Sequence, residues 1–191
     1  SDTQALSIEV IPADLTITTA ALDDGQVGVA YSETLAATGG ATPLTWSVSA
    51  GSLPAGLSLD ADSGEISGTP TAYGTSNFTV EATDSWTPQD SDTQALSIAV
   101  IPADLVIATN SLSDAGTSGA YSETLAAAGG VAPYTWSVSA GPLPPGLSLD
   151  SATGEISGTA TTHGTWFFTV EVIDSQSTPD TDTQDLSITV D

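Results

Sequence analysis

The sequence predicts an all-β protein made of tandem Greek-key β-sandwich domains, about seven short strands each. Three observations carry that prediction. Residues 11–100 align with 101–190 without a gap, and well over half of the aligned positions are identical. Within each copy apolar and polar residues alternate at period two, the spacing of a half-buried strand. Turn residues punctuate the copy every 8 to 12 or so positions, the rhythm of a small antiparallel sandwich. A repeat of roughly 90 residues is too long for a solenoid unit and suits one small domain per copy.

Taken in order through the first copy, Leu15 and Ile17 alternate with polar neighbours in an opening strand. Tyr31, Glu33 and Leu35 share the parity of a second strand that ends at Gly39 and Gly40. Trp46 and Val48 alternate with Thr45, Ser47 and Ser49 in a third; its Trp is the core residue of an immunoglobulin-type sandwich. After the turn at Pro54 and Gly56, Leu57 and Leu59 face one way. Asp60 to Gly64 is a tight loop leading into Glu65–Gly68, with Phe78 and Val80 on one face of the next strand. Leu96, Ile98 and Val100 complete the pattern, and Pro102 interrupts it. The segment SDTQALSI at 1–8 returns at 91–98 and, as TDTQDLSI, at 181–188. The expected organisation is a final strand of a preceding repeat plus linker at 1–13, repeat 1 at 14–100, a linker at 101–104 and repeat 2 at 104–190.

Composition excludes several functions. The chain holds 24 Asp plus Glu, one His, and no Lys, Arg, Cys or Met, for a net charge of −24. Nucleic acids and anionic membranes are held mainly by Lys and Arg, so neither is an expected partner. Without Cys there are no disulfides or thiolate sites, and without Arg there is no bidentate clamp on phosphate or carboxylate. No apolar run approaches the ~18 residues that span a bilayer. The sole imidazole, His163, sits in a loop where the other copy has Tyr73, so a Ser-His-Asp triad has no place in the repeat. Paired carboxylates such as Glu65 and Asp62 have the chemistry of a glycosidase, but Asp62 becomes Ala152 in the second copy. No enzymatic activity is expected.

The segments YSETLAATGG, PLTWSVSAGSLPAGLSLDADSGEISGTP and GTSNFTVEATDS, with their second-copy counterparts, resemble the immunoglobulin-like repeats, also called dystroglycan-type cadherin-like repeats, of large bacterial surface proteins. The stretch FTVEATDS with TQALSIAV is similar to the closing strands of cadherin domains. The resemblance covers both copies and implies an Ig/cadherin-like sandwich, an extracellular or cell-surface location, tandem arrays and, in cadherins, Ca²⁺ at the joints. By that likeness Asp84 stands at the acidic position of the Ala-x-Asp motif, and Asp174 keeps that Asp in Val172-Ile173-Asp174. Asp14 and Asp104 lie in the IPADL linkers, and Asp24 and Asp114 near the domain base. Stacked as in cadherins, Asp24, Asp104 and Asp174 would meet at one joint, and Asp14 and Asp84 at the joint above. The linker lacks cadherin's Asn-Asp-Asn run, and solvated charges or strand-end caps are the alternative.

The expected function is therefore a structural extracellular module forming a stiff rod, stalk or filament, rigidified by calcium. Its partners would be neighbouring repeats, with residues 1–11 able to add as a strand to a neighbouring molecule. The alternative is an adhesin module for carbohydrate or a cell-surface partner, with Trp86 in the loop SWTPQD as the contact. Asp90 with Asp92, and Asp180 with Asp182, are the densest acidic spots and further cation candidates. For Asp60 and its counterpart Asp150 the favoured role is hairpin chemistry, the carboxylate accepting backbone N–H bonds while Gly64 supplies a positive φ.

Overall fold

The computed structural model describes residues 10–191. The segment expected to be the last strand of a preceding repeat lies, for residues 1–9, outside the described residues. The chain forms two compact units that divide between Ile101 and Pro102. Among the described residues no helix is long and apolar enough to cross a membrane.

The first unit contains β1 (Thr16–Ile17), β2 (Gly25–Gln26), β3 (Tyr31–Thr34), β4 (Ala37–Thr38), β5 (Thr45–Gly51), β6 (Leu57–Leu59), β7 (Glu65–Gly68), β8 (Gly74–Thr83) and β9 (Ser91–Ile101). They pair as a four-stranded sheet β2-β9-β8-β5, a three-stranded sheet β3-β7-β6 and a short β1-β4 pair. The second unit repeats this with β10 (Val106–Ile107), β11 (Tyr121–Thr124), β12 (Ala127–Ala128), β13 (Thr135–Ala140), β14 (Leu147–Leu149), β15 (Glu155–Gly158), β16 (Gly164–Ile173) and β17 (Thr181–Val190). Its sheets are β13-β16-β17, β11-β15-β14 and β10-β12. The counterpart of β2 shrinks to a single parallel bridge from Ala115 to Val190. The architecture is the all-β sandwich that the alternation predicts. There are more strand segments than seven per unit because the expected second strand divides into β3 and β4 (β11 and β12 in the second unit) and, in the first unit, Gly25–Gln26 adds the short β2.

Alternation builds the core. The inward parity of β8 and β9 buries Phe78, Val80, Leu96, Ile98 and Val100, and β7 contributes Ile66 from the facing sheet. Each such side chain is worth about 1.5–3 kcal/mol when fully buried. Trp46 and Trp136 lie in the middle at 5% and 4% exposure. Their rings press on Gly64 and Gly154, where an added Cβ would stand 2.8 Å from the indole nitrogen. Both glycines also have φ of +72°, so the tight loop before β7 and the Trp pocket both depend on a missing side chain. Tyr31 and Tyr121 are core members, and their hydroxyls donate to the carbonyls of Asp23 (3.1 Å) and Ser113 (3.3 Å). Trp166 packs against the second core where the first unit has Ser76, with its indole N–H buried and unpartnered.

Candidate functional site

The loop between β8 and β9 turns on one carboxylate. Asp84 is buried at 3% exposure. Its Oδ1 accepts the N–H groups of Asp90 (2.9 Å) and Trp86 (3.2 Å), and its Oδ2 accepts that of Ala41 (2.9 Å). The backbone of Asp84 also donates to the carbonyl of Asp90 and accepts the Gln89 amide. The residue thus ties the β8–β9 turn to the loop after β4. Asp174 repeats the arrangement with Asp180, Gln176 and Val131, and adds the Gln176 side-chain amide at 2.6 Å. Hydrogen bonds to the ionised form are what keep a buried carboxylate charged. The N–H groups of Asp90, then Ala41 and Trp86, hold the Asp84 carboxyl below its ordinary value against the opposing pull of burial. At Asp174 burial is the largest influence and pushes the value up. The Gln176 side chain and the backbone donors together outweigh it and hold the carboxyl at about 2.

The acidic pairs before the final strands do related work. Asp90 Oδ2 accepts the N–H of Leu15 (2.8 Å), and Asp92 Oδ2 accepts that of Ile17 (2.7 Å). Their Oδ1 atoms take the N–H groups of Ser91 and Thr93. Asp180 and Asp182 bind Leu105 and Ile107 in the same way. Each carboxylate therefore bridges the start of β9 or β17 to β1 or β10, between which no backbone ladder forms. Sequence reasoning ranked these residues as cation candidates and missed this role. The one available signal was the recurrence of Asp at alternate positions before both final strands. Asp60 and Asp150 sit as hairpin chemistry requires: Asp60 Oδ1 accepts the N–H and hydroxyl of Ser63 and the N–H of Asp62, which lower its carboxyl pKa.

Asp14, Asp24, Asp104 and Asp114 are exposed. Asp24 and Asp114 lie near Tyr31 and Tyr121, where they join burial and the nearby Glu33 and Glu123 in pushing each phenol up to about 12. Among the described residues no three His, Cys, Asp or Glu side chains are grouped to hold a metal ion. Trp86, half-buried, joins Asp14, Asp84, Pro88 and Asp90 around a cleft of about 290 Å³. His163 is exposed.

No curated protein matches the chain. Solved structures similar to it include the protocadherin GammaB4 extracellular domain, at 16% identity over 93% of this chain and 34% of that one, with a TM-score of 0.45. Mouse cadherin-23 EC22-24 matches at 15% identity over 95% of this chain and 67% of that one, TM-score 0.42. An endo-fucoidan hydrolase of glycoside hydrolase family 107 matches at 21% identity over 93% of this chain and 29% of that one, TM-score 0.41. The chain spans about a third of the first of these proteins. The family described as "Putative Ig domain" matches residues 13–100 and again 103–191, and the chain belongs to that family as two tandem domains.

Proposed function

We propose that the chain is a non-enzymatic segment of an extracellular, bacterial cell-surface stalk, rod or filament, with neighbouring repeats as its partners and calcium stiffening the joints. The observation that supports this reading is duplication of the whole sandwich. Each unit closes its own core and uses its most acidic loop to secure its own strands, which suits a module copied for length. Tandem immunoglobulin-like domains make a structural or adhesive repeat module. In this reading the repeats run over 14–100 and 104–190 with 101–104 as linker, and residues 1–11 are a strand available to a neighbouring molecule.

Calcium enters because 24 carboxyl groups have no Lys or Arg to offset them, and a divalent cation supplies the missing counter-charge. Binding would draw on Asp14, Asp24, Asp84, Asp104, Asp114 and Asp174 across joints. Melting and small-angle scattering of the whole chain in calcium and in EDTA test the reading. We expect calcium to raise the melting temperature and to narrow the range of inter-unit distances. Identical melting and scattering in both buffers overturns the calcium joint. A profile of freely hinged units in both overturns the rod as well.

The cleft beside Trp86 supports a second reading, an adhesin module for carbohydrate or a cell-surface partner, since an aromatic face next to carboxylate acceptors suits sugar hydroxyls. A glycan array with Trp86→Ala as control decides it, and binding that survives the substitution overturns this contact.

A further inference from the structure

The outer face of the larger sheet carries the same shallow trough in both units, about 520 Å³ in the first and about 530 Å³ in the second. Four outward side chains on adjacent strands form its floor. In the second unit Phe167 lies opposite Ser187 and Thr169 opposite Asp185. In the first, Asn77 lies opposite Ser97 and Thr79 opposite Ala95. The Ser and the Thr are kept, while the other two positions change together, from Asn and Ala to Phe and Asp. The wall changes in the same sense, with Ala20 and Ala21 of the first unit replaced by Asn110 and Ser111. Phe167 is 71% exposed. The ring adds nothing to the core, and the first unit builds the same strand with Asn.

We propose that the trough of the second unit binds an arginine side chain presented by a basic peptide or protein partner. Phe167 and Asp185 are diagonal neighbours on paired strands, roughly 7–8 Å apart in such a ladder and within reach of one long side chain. A guanidinium stacked on the Phe167 ring, within about 6 Å of its centroid, turns its N–H fork toward Asp185. The Thr169 hydroxyl donates to Asp185 Oδ1 at 2.7 Å and so fixes the carboxylate, which still has lone pairs for further donors. Asn110, Ser111 and Ser187 add oxygen acceptors around it. Guanidinium is a pure donor with a planar face, so an aromatic ring beside a set of acceptors matches both of its properties. These 191 residues contain no Lys or Arg, so a second copy of them cannot supply the group, and the occupant is a basic segment from outside them. The charge of −24 draws it in, more strongly at low salt.

Amide-resolved NMR of the whole chain in EDTA, titrated with N-acetyl-arginine amide, tests the site independently of any calcium joint. Saturable shifts are expected at 110–112, 167–169 and 185–187, with none at Asn77, Ala95 and Ser97 of the first unit. Phe167→Asn and Asp185→Ala each install the residue that the first unit carries, so the fold is kept. Each is expected to weaken binding about fivefold or more. N-acetyl-lysine amide is expected to bind more weakly and maltohexaose not at all. Equal shifts in both troughs, shifts spread over the carboxylates generally, an affinity unchanged by Phe167→Asn, or a localised response to maltohexaose in place of arginine would each overturn the proposal.

Discussion

Asp174 is buried and ionised with no Lys or Arg in the chain to pair with, and backbone and amide donors support it. A carboxyl whose pKa falls on folding stabilises the fold above its unfolded value and loses that contribution as pH drops toward the folded one. For Asp174 the window runs from the ordinary 3.8 down to about 2. Melting temperature should therefore fall steeply across that window. Asp174→Asn, which removes the charge and sets an amide N–H against N–H donors, should flatten the slope and lower the neutral-pH melting temperature by about 5 °C or more. Differential scanning calorimetry across the acid range checks both. The phenols of Tyr31 and Tyr121 have the opposite sign. Their values rise from 10.0 to about 12, so their contribution is complete below pH 10 and lost as pH climbs toward 12. Absorbance near 295 nm (roughly the phenolate band) should show these two rings ionising together with alkaline unfolding. Glycine 64 is a steric case: Gly64→Ala must accept a left-handed φ and displace the Trp46 ring. Denaturant melts should show a loss of about 2 kcal/mol or more.

At the scale of the element, β1 keeps a short backbone pairing with β4 but is tied to β9 by side chains. Leu15 and Ile17 donate to carboxylates 75 residues away in sequence. This explains what the sequence discloses and what it hides. Strand positions follow from a period of two, because burial on one face is a local, repeated demand that Phe78, Val80, Leu96 and Ile98 meet in plain view. The sandwich is legible for the same reason, and the placement of Trp46 and Trp136 with it. The role of a carboxylate is not. An Asp that will ligate a cation and an Asp that will cap N–H groups read alike, and tertiary convergence decides between them. Asp90 and Asp92 therefore read as metal candidates, and the trough around Phe167 was invisible because its floor comes from two strands and its wall from a distant loop. Replacing both Asp90 and Asp92 by Asn should free β1 while leaving β5, β8 and β9 in place. Hydrogen exchange should then quicken about tenfold or more at Leu15 and Ile17, with little change at Val80 and Ile98. Equal loosening of both groups would mean that the carboxylates do not hold β1 and that its pairing with β4 and its apolar contacts suffice. The bulge between Val48 and Ala50, repeated between Val138 and Ala140, lies on a strand at the edge of its sheet. An irregular edge is a poor template for unwanted pairing.

For the molecule as a whole the governing quantity is a charge of −24 with no Lys or Arg. In a protein of mixed charge, added salt screens attractions and repulsions together, and the net effect on stability is often small. Here the screened interactions are almost all repulsive, so salt acts in one direction. Unfolding spreads the carboxylates apart and relieves their repulsion, which means screening favours the compact state. The Debye length shortens from about 30 Å at 0.01 M to about 3 Å at 1 M salt, from longer than the spacing of neighbouring carboxylates to shorter. Melting temperature should therefore climb with NaCl over that range by about 5 °C or more, and both units should share the rise because both carry a large excess of acid, 13 Asp plus Glu in residues 1–101 and 11 in residues 102–191. Magnesium and calcium chloride at matched ionic strength separate this general screening from specific binding. Screening predicts equal gains for the two divalent salts, whereas a joint that coordinates calcium predicts a further gain for calcium at millimolar concentration. A melting temperature that stays level or falls as NaCl is added would mean that self-repulsion does not limit this fold, and it would remove the main physical reason for assigning the chain a cation partner at all.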